Sequence, residues 1–172
     1  LIDYELWDPI SDPVTQELIR RGDTMGCFYV ESPATRLLLK KLWTTMPQAR
    51  RAHADVFEYL VVVSSIIRPA ANVYADDFVR RSHGHPYRSW HPLLDEVLAE
   101  THGIMVYQED VMKVAVALGG FSVHDGDQLR KILSKKHKER QLRDYQRQFY
   151  EGAAARDVHR STTDKIWAMI MS

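Results

Sequence analysis

Cysteine is nearly missing from this sequence. Among 172 residues only Cys27 carries a thiol, so no internal disulfide can form, and a reducing compartment, the cytoplasm, is the expected setting. Cys27 lies between Gly26 and Phe28 in an apolar run and reads as a core residue. No apolar stretch reaches the ~18 residues that a membrane-crossing helix needs, which excludes a membrane partner of that kind. Net charge is also missing, with 23 Lys and Arg against 23 Asp and Glu. The overall balance therefore points to no particular partner. There is no internal repeat, low-complexity segment or glycine-rich phosphate loop; Gly119-Gly120 is too little to make one. His83, His85 and His91 share one stretch, but without a cysteine or an evident fourth ligand they assign no zinc site. No metal or catalytic residue is assigned. The chain starts at Leu1 without a methionine or a leader-like segment, which reads as a piece of a longer polypeptide.

What the sequence does have is helix punctuation. Asp12-Pro13 opens a helix with Val14, Leu18 and Ile19 on one face, and Gly22 closes it. Cys27 to Val30 reads as a short extended segment between turns. Ser32-Pro33 opens a second helix, rich in leucine through Leu42 and Trp43. Phe57 to Ile67 is the most apolar run. Its valines and isoleucines favour a strand locally, but helical neighbours and the stop at Arg68-Pro69 make it a buried helix. Asp76 to Arg81 leads into the longest loop. His91-Pro92 then opens a helix with Leu93, Leu94, Val97 and Leu98 as its buried face, ended by Gly103. The fold class is mainly α, with at most a short extended segment near 27–30.

Residues 102–136 organise the rest: an apolar helix (Ile104 to Leu118), a Gly-Gly break, and a helix with cations beside its stripe of Leu129, Ile132 and Leu133. Asp125 and Asp127 are placed at the N-terminus of that second helix, where carboxylates meet free backbone N–H groups. Glu109 has no second carboxylate to make it a general base and reads as a supporting residue. Between Arg130 and Arg147 eight cations face two acids, Glu139 and Asp144. Such a concentration suits a polyanion, and equally a solvated helix face. Residues 137–172 read as a helical extension. Leu142, Tyr145 and Phe149 form its stripe, Gly152 is a stop, and Ser161 with Asp164 caps a last helix from Thr162 to Met171. Ile166, Met169 and Ile170 lack partners in sequence.

Several of these stretches resemble the fingers region of the bacterial replicative DNA polymerase III alpha subunit, the C-family polymerases. In 102–136 the similarity rests on Gly103, Ile104, Tyr107, Gln108, Glu109, Val111, Met112, Gly120, Asp127, Leu129, Arg130, Lys135 and Lys136. Earlier it rests on Gly22, Asp23, Thr24, Gly26, Phe28, Glu31, Ser32 and the leucine-lysine run, and on Arg68-Pro69. It covers roughly Asp12 to Ile170.

The resemblance implies that residues 1–172 form a single fingers-domain fragment of a DNA-directed DNA polymerase, a nucleotidyltransferase of DNA replication. Residues 102–136 would be its nucleotide-binding helix pair. The palm aspartates that hold Mg2+ in the family have no counterpart here, so the fragment alone would not catalyse. Its implied ligands are an incoming deoxynucleoside triphosphate and primer–template DNA. Its implied partners are the palm and thumb of the same chain; sliding clamp and replisome contacts would lie outside the fragment. The triphosphate-binding candidates are Arg130, Lys131, Lys135 and Arg68. Lys131 stands where the family has a second arginine, giving a point charge in place of a planar fork. The DNA-binding candidates are Lys136, Lys138 and Tyr107, the last as a stacking surface. Set against this is a stand-alone helical module that uses the basic 130–147 face to bind nucleic acid or protein.

Overall fold

A computed structural model describes residues 8–67, 72–133 and 139–171. Among the described residues the fold is helical, with no strand. Two compact units divide the chain, Leu1–Pro86 and Tyr87–Ser172.

The first unit holds helices α1 (Pro13–Arg21), α2 (Pro33–Thr44), α3 (Gln48–Arg51), α4 (Val56–Ile66) and α5 (Ala75–Ser82). Asp12 and Ser32 cap α1 and α2 through the N–H groups of Thr15 and Thr35, each followed by a first-turn proline. Gly22 closes α1 in the left-handed conformation, at φ 67°. The β-branched run does form a helix, α4. Asp55 caps it through the N–H groups of Phe57 and Glu58, and complete burial of Val63 and Ile66 outweighs local strand preference. Burial is one-sided, since Phe57 and Val61 are exposed. Trp43, Tyr59 and Phe78 join α2, α4 and α5 by ring contacts at 5.5 and 5.9 Å.

Two expectations need correction in this unit. Cys27 to Val30 is not extended: hydrogen bonds from Cys27 N to Thr24 O and from Val30 N to Cys27 O fold it into turns, and Thr24 Oγ1 closes them on Val30 O at 2.7 Å. Those turns push Cys27 outward, so it is exposed and not core. Asp76 to Arg81, to which the sequence assigned no element, is part of a helix, α5, with Phe78 and Val79 buried on one face.

The second unit holds α6 (Pro92–Val97), α7 (Gln108–Gly119), α8 (Val123–Leu133), α9 (Glu139–Ala154) and α10 (Arg160–Ile170). His91 Nδ1 accepts the Leu93 N–H at the start of α6. The core gathers Leu94, Leu98, Leu118, Leu129, Phe149, Ile166, Trp167 and Ile170. Ile166 and Ile170 thus find partners within the unit, with Phe149 and Trp167 rings 5.4 Å apart beside them.

Gly152 does not stop α9, which runs on to Ala154. It lies where α9 crosses the end of α7, and a Cβ there would sit 1.7 Å from Gly119 O. Gly119 is equally confined by Phe149 Cδ2, 2.5 Å from where its own Cβ would be. These two glycines let the backbones meet. The last helix begins two residues earlier than the pattern suggested: His159 Nδ1, not Ser161, accepts the first N–H, and Asp164 is engaged by Arg160 and Tyr150 instead of a cap.

Candidate functional site

The α7–α8 pair carries the described part of the predicted site. Ile104 to Val106 precede the first helix as an irregular, buried segment, and α7 proper starts at Gln108. Asp110, 2% exposed, organises that start: its Oδ2 accepts the backbone N–H groups of Val106 and Tyr107 at 2.9 and 2.8 Å. Burial pushes the Asp110 carboxyl above its usual range, and the Tyr107 and Val106 N–H groups act against that shift. Tyr107 stands at this corner, half-buried.

Phe121, buried against Tyr145 and Phe149, follows the left-handed Gly120 at φ 67°. Ser122 then starts α8. Its Oγ accepts the Asp125 N–H at 3.1 Å and donates to Asp125 Oδ2 at 2.6 Å. The first turn therefore contains Asp125, as read from the sequence. Asp127 is not at the N-terminus but inside α8, one turn before the cations.

That position decides the site's electrostatics. Asp127 Oδ1 accepts from Arg130 Nε and Nη2 at 3.1 and 2.8 Å, a forked contact of good geometry. Asp127 Oδ2 lies 2.6 Å from Lys131 Nζ. From α7, Glu109 Oε1 approaches Arg130 Nη1 at 3.9 Å. The hydrogen bond from Lys131, then that from Arg130, holds the Asp127 carboxyl below the usual carboxylate range. The Asp127 hydrogen bond in turn raises Arg130 further. Arg130 and Lys131 are thus brought together, held side by side by one carboxylate, and matched charge for charge by Asp127 and Glu109. Sequence reading had the cations; it missed Asp127 as their common partner, although its spacing of three and four residues from them was legible.

Arg68, Lys135, Lys136 and Lys138 lie outside the described residues. His83 Nε2 is 2.8 Å from Leu42 O, and among the described residues no group of three or more His, Cys, Asp or Glu is placed to hold a metal. No described helix is long and apolar enough to cross a membrane.

Residues 6–157 match the family described as the bacterial DNA polymerase III alpha subunit finger domain. The chain is 36% identical over 159 residues to DNA polymerase III subunit alpha of Neisseria meningitidis serogroup B, covering 92% of this chain and 13% of that protein. With the protein of the same name from Aquifex aeolicus it shares 35% over 164 residues, 92% of this chain and 13% of the relative. With that of Chlamydia pneumoniae it shares 37% over 129 residues, 74% and 10% respectively.

Proposed function

We propose, for a chain that belongs to the bacterial DNA polymerase III alpha subunit finger-domain family, that it positions an incoming deoxynucleoside triphosphate and the template for DNA synthesis. The chain spans about an eighth of the curated relatives it matches. The activity therefore belongs to a larger enzyme, a DNA-directed DNA polymerase, and the groups that hold its catalytic metal ions are assigned to other parts of that enzyme. The observation that carries the reading is the Arg130–Lys131 pair, two cations on adjacent positions of α8 oriented by Asp127.

A triphosphate brings several negative charges. Cations that are already oriented neutralise them with little reorganisation when charge develops at the reacting phosphorus. Arg130 supplies a planar fork able to take two phosphate oxygens, and Lys131 supplies a point charge. Lys135 and Arg68 are assigned to the same triphosphate; Lys136, Lys138 and Tyr107 are assigned to DNA. Palm and thumb of the same enzyme are the partners of this chain, and clamp and replisome contacts fall to other regions.

The test is steady-state kinetics of the intact polymerase carrying Arg130→Ala. The Michaelis constant should rise for all four nucleotides alike, because the contact is to phosphate and not to base. Unchanged constants would remove Arg130 from the site.

A further inference from the structure

One strongly charged surface lies on elements other than those of the nucleotide site. An open groove of about 860 Å³ between α9 and α10 is lined by Arg140, Arg143 and Arg147 from α9 and by Arg160 from α10. The α9 arginines are three and four residues apart and so share one helical face. At ~1.5 Å per residue, the first and last are ~10 Å apart along the axis. Each strand of a duplex carries one phosphate per ~3.4 Å of duplex axis, and neighbouring phosphates are farther apart along the backbone itself, so a row of this length following the backbone faces about two of them.

The four guanidinium groups are not equivalent. Arg147 is paired with Asp144. Arg160 is fixed by Asp164 at 3.2 Å and lies over the Tyr150 ring at 4.2 Å. The Tyr150 hydroxyl donates to the same Asp164 oxygen at 2.8 Å, so Arg160 is tethered to both partners while its side chain remains exposed. Arg140 and Arg143 are exposed and make no ion pair among the described residues. With Arg147 and Arg160 each matched by an aspartate, Arg140 and Arg143 against Glu151 leave the lining positive. The one aromatic ring is already covered by Arg160, which leaves no platform on which a base could stack. An open, cationic channel with no base-reading surface fits a chain of phosphates passing through it.

We infer that the α9–α10 groove is a sequence-independent binding site for the sugar-phosphate backbone of DNA, separate from the triphosphate contacts of Arg130 and Lys131. This rests on the polymerase reading above for the identity of the polyanion. Arg140 and Arg143 carry its free charge, Arg147 and Arg160 flank them, and specificity for sequence is absent.

The experiment uses the intact polymerase with Arg140→Gln and Arg143→Gln together. Primer–template affinity is measured by fluorescence anisotropy between 50 and 200 mM salt, the range over which counterion release is read out, with nucleotide absent. Loss of two phosphate contacts makes the slope of log K against log salt shallower by about 1.4–1.8. The loss should be equal on two unrelated sequences, and the nucleotide Michaelis constant at saturating DNA should not move. A second variant, Arg140→Lys with Arg143→Lys, keeps both charges and should keep the slope. An unchanged slope in the glutamine variant would overturn the inference and leave an acidic protein as the groove's occupant. A lysine variant that loses the slope as fully would also overturn it, since charge would then not be the cause. Failure of the polymerase reading shows elsewhere, in an intact parent protein that carries out no template-directed DNA synthesis, so the two are told apart.

Discussion

Replacing Gly152 by alanine should destabilise the Tyr87–Ser172 unit, although alanine is the better helix former. Gly152 has ordinary helical geometry inside α9, so on propensity alone the change would add ~0.8–1 kcal/mol. Space reverses the sign. The new Cβ would sit 1.7 Å from Gly119 O and 2.5 Å from Gly119 C, where carbon and oxygen normally stay ~3.3–3.6 Å apart. Both obstructing atoms are backbone, so no side chain can turn aside, and α9 must move off α7 by more than ~1 Å. That movement loosens Leu118, Phe149 and Ala153, all fully buried. Overpacking of this kind costs ~1–3 kcal/mol, and a backbone obstacle puts it at the upper end. The net loss is ~2 kcal/mol, or ~8–16 °C in melting temperature for a unit of this size. Gly126→Ala is the control, read by calorimetry alongside it. There the nearest atoms are Met112 Cγ at 3.0 Å and Met112 O at 3.3 Å, so a shift of a few tenths of an ångström suffices, and the melting point should stay within a few degrees. A Gly152→Ala protein that melts at or above the parent would refute the argument from the helix crossing.

Asp110→Ala leaves the Val106 and Tyr107 N–H groups without their acceptor. It should lower stability by ~1–3 kcal/mol in a denaturant titration; an unchanged midpoint would mean that water replaces the carboxylate. Carboxyl titration followed by NMR should place Asp127 below 3.8 and Asp110 above it. The consequences for stability have opposite signs. Asp127 contributes above its unfolded value, and that contribution is lost as pH falls through its depressed folded value. The contribution of Asp110 is greatest below its unfolded value and declines as pH rises through its raised folded value. The reverse order of the two midpoints would contradict burial as the governing influence on Asp110 and the paired hydrogen bonds as that on Asp127. Finally, Cys27, exposed by its turn, should be alkylated by a neutral thiol reagent in this folded chain without denaturant; reaction only after unfolding would return it to the core.

Much of the helical pattern was legible because caps are local. Asp12-Pro13, Ser32-Pro33 and His91-Pro92 each announce a helix within two residues, and each does start one. What could not be read depended on partners far away in sequence. Gly152 looks like a terminator until Gly119, a full helix away, is seen against it. Cys27 sits in an apolar run, and only the Thr24–Val30 hydrogen bond shows that the run is turned outward. Ser122 was overlooked even though its spacing to Asp125 is a capping pattern; that omission placed Asp127 at the start of its helix instead of inside it. In the site, the adjacency of Arg130 and Lys131 was plain from the sequence. The approach of Glu109 from the neighbouring helix was not, because it depends on how α7 and α8 pack.

Asp127 gives one oxygen to each member of the cation pair, and in doing so occupies the role of a ligand in advance. An arriving anion exchanges with it rather than entering an empty seat, so the affinity is a difference between two sets of ion pairs. A singly charged ion replaces a carboxylate with its equal and gains little. A polyphosphate can engage both cations at once and still present charge to spare. If Arg130 and Lys131 receive a triphosphate as proposed, the carboxylate that neutralises the pair sets a threshold that favours a multiply charged guest.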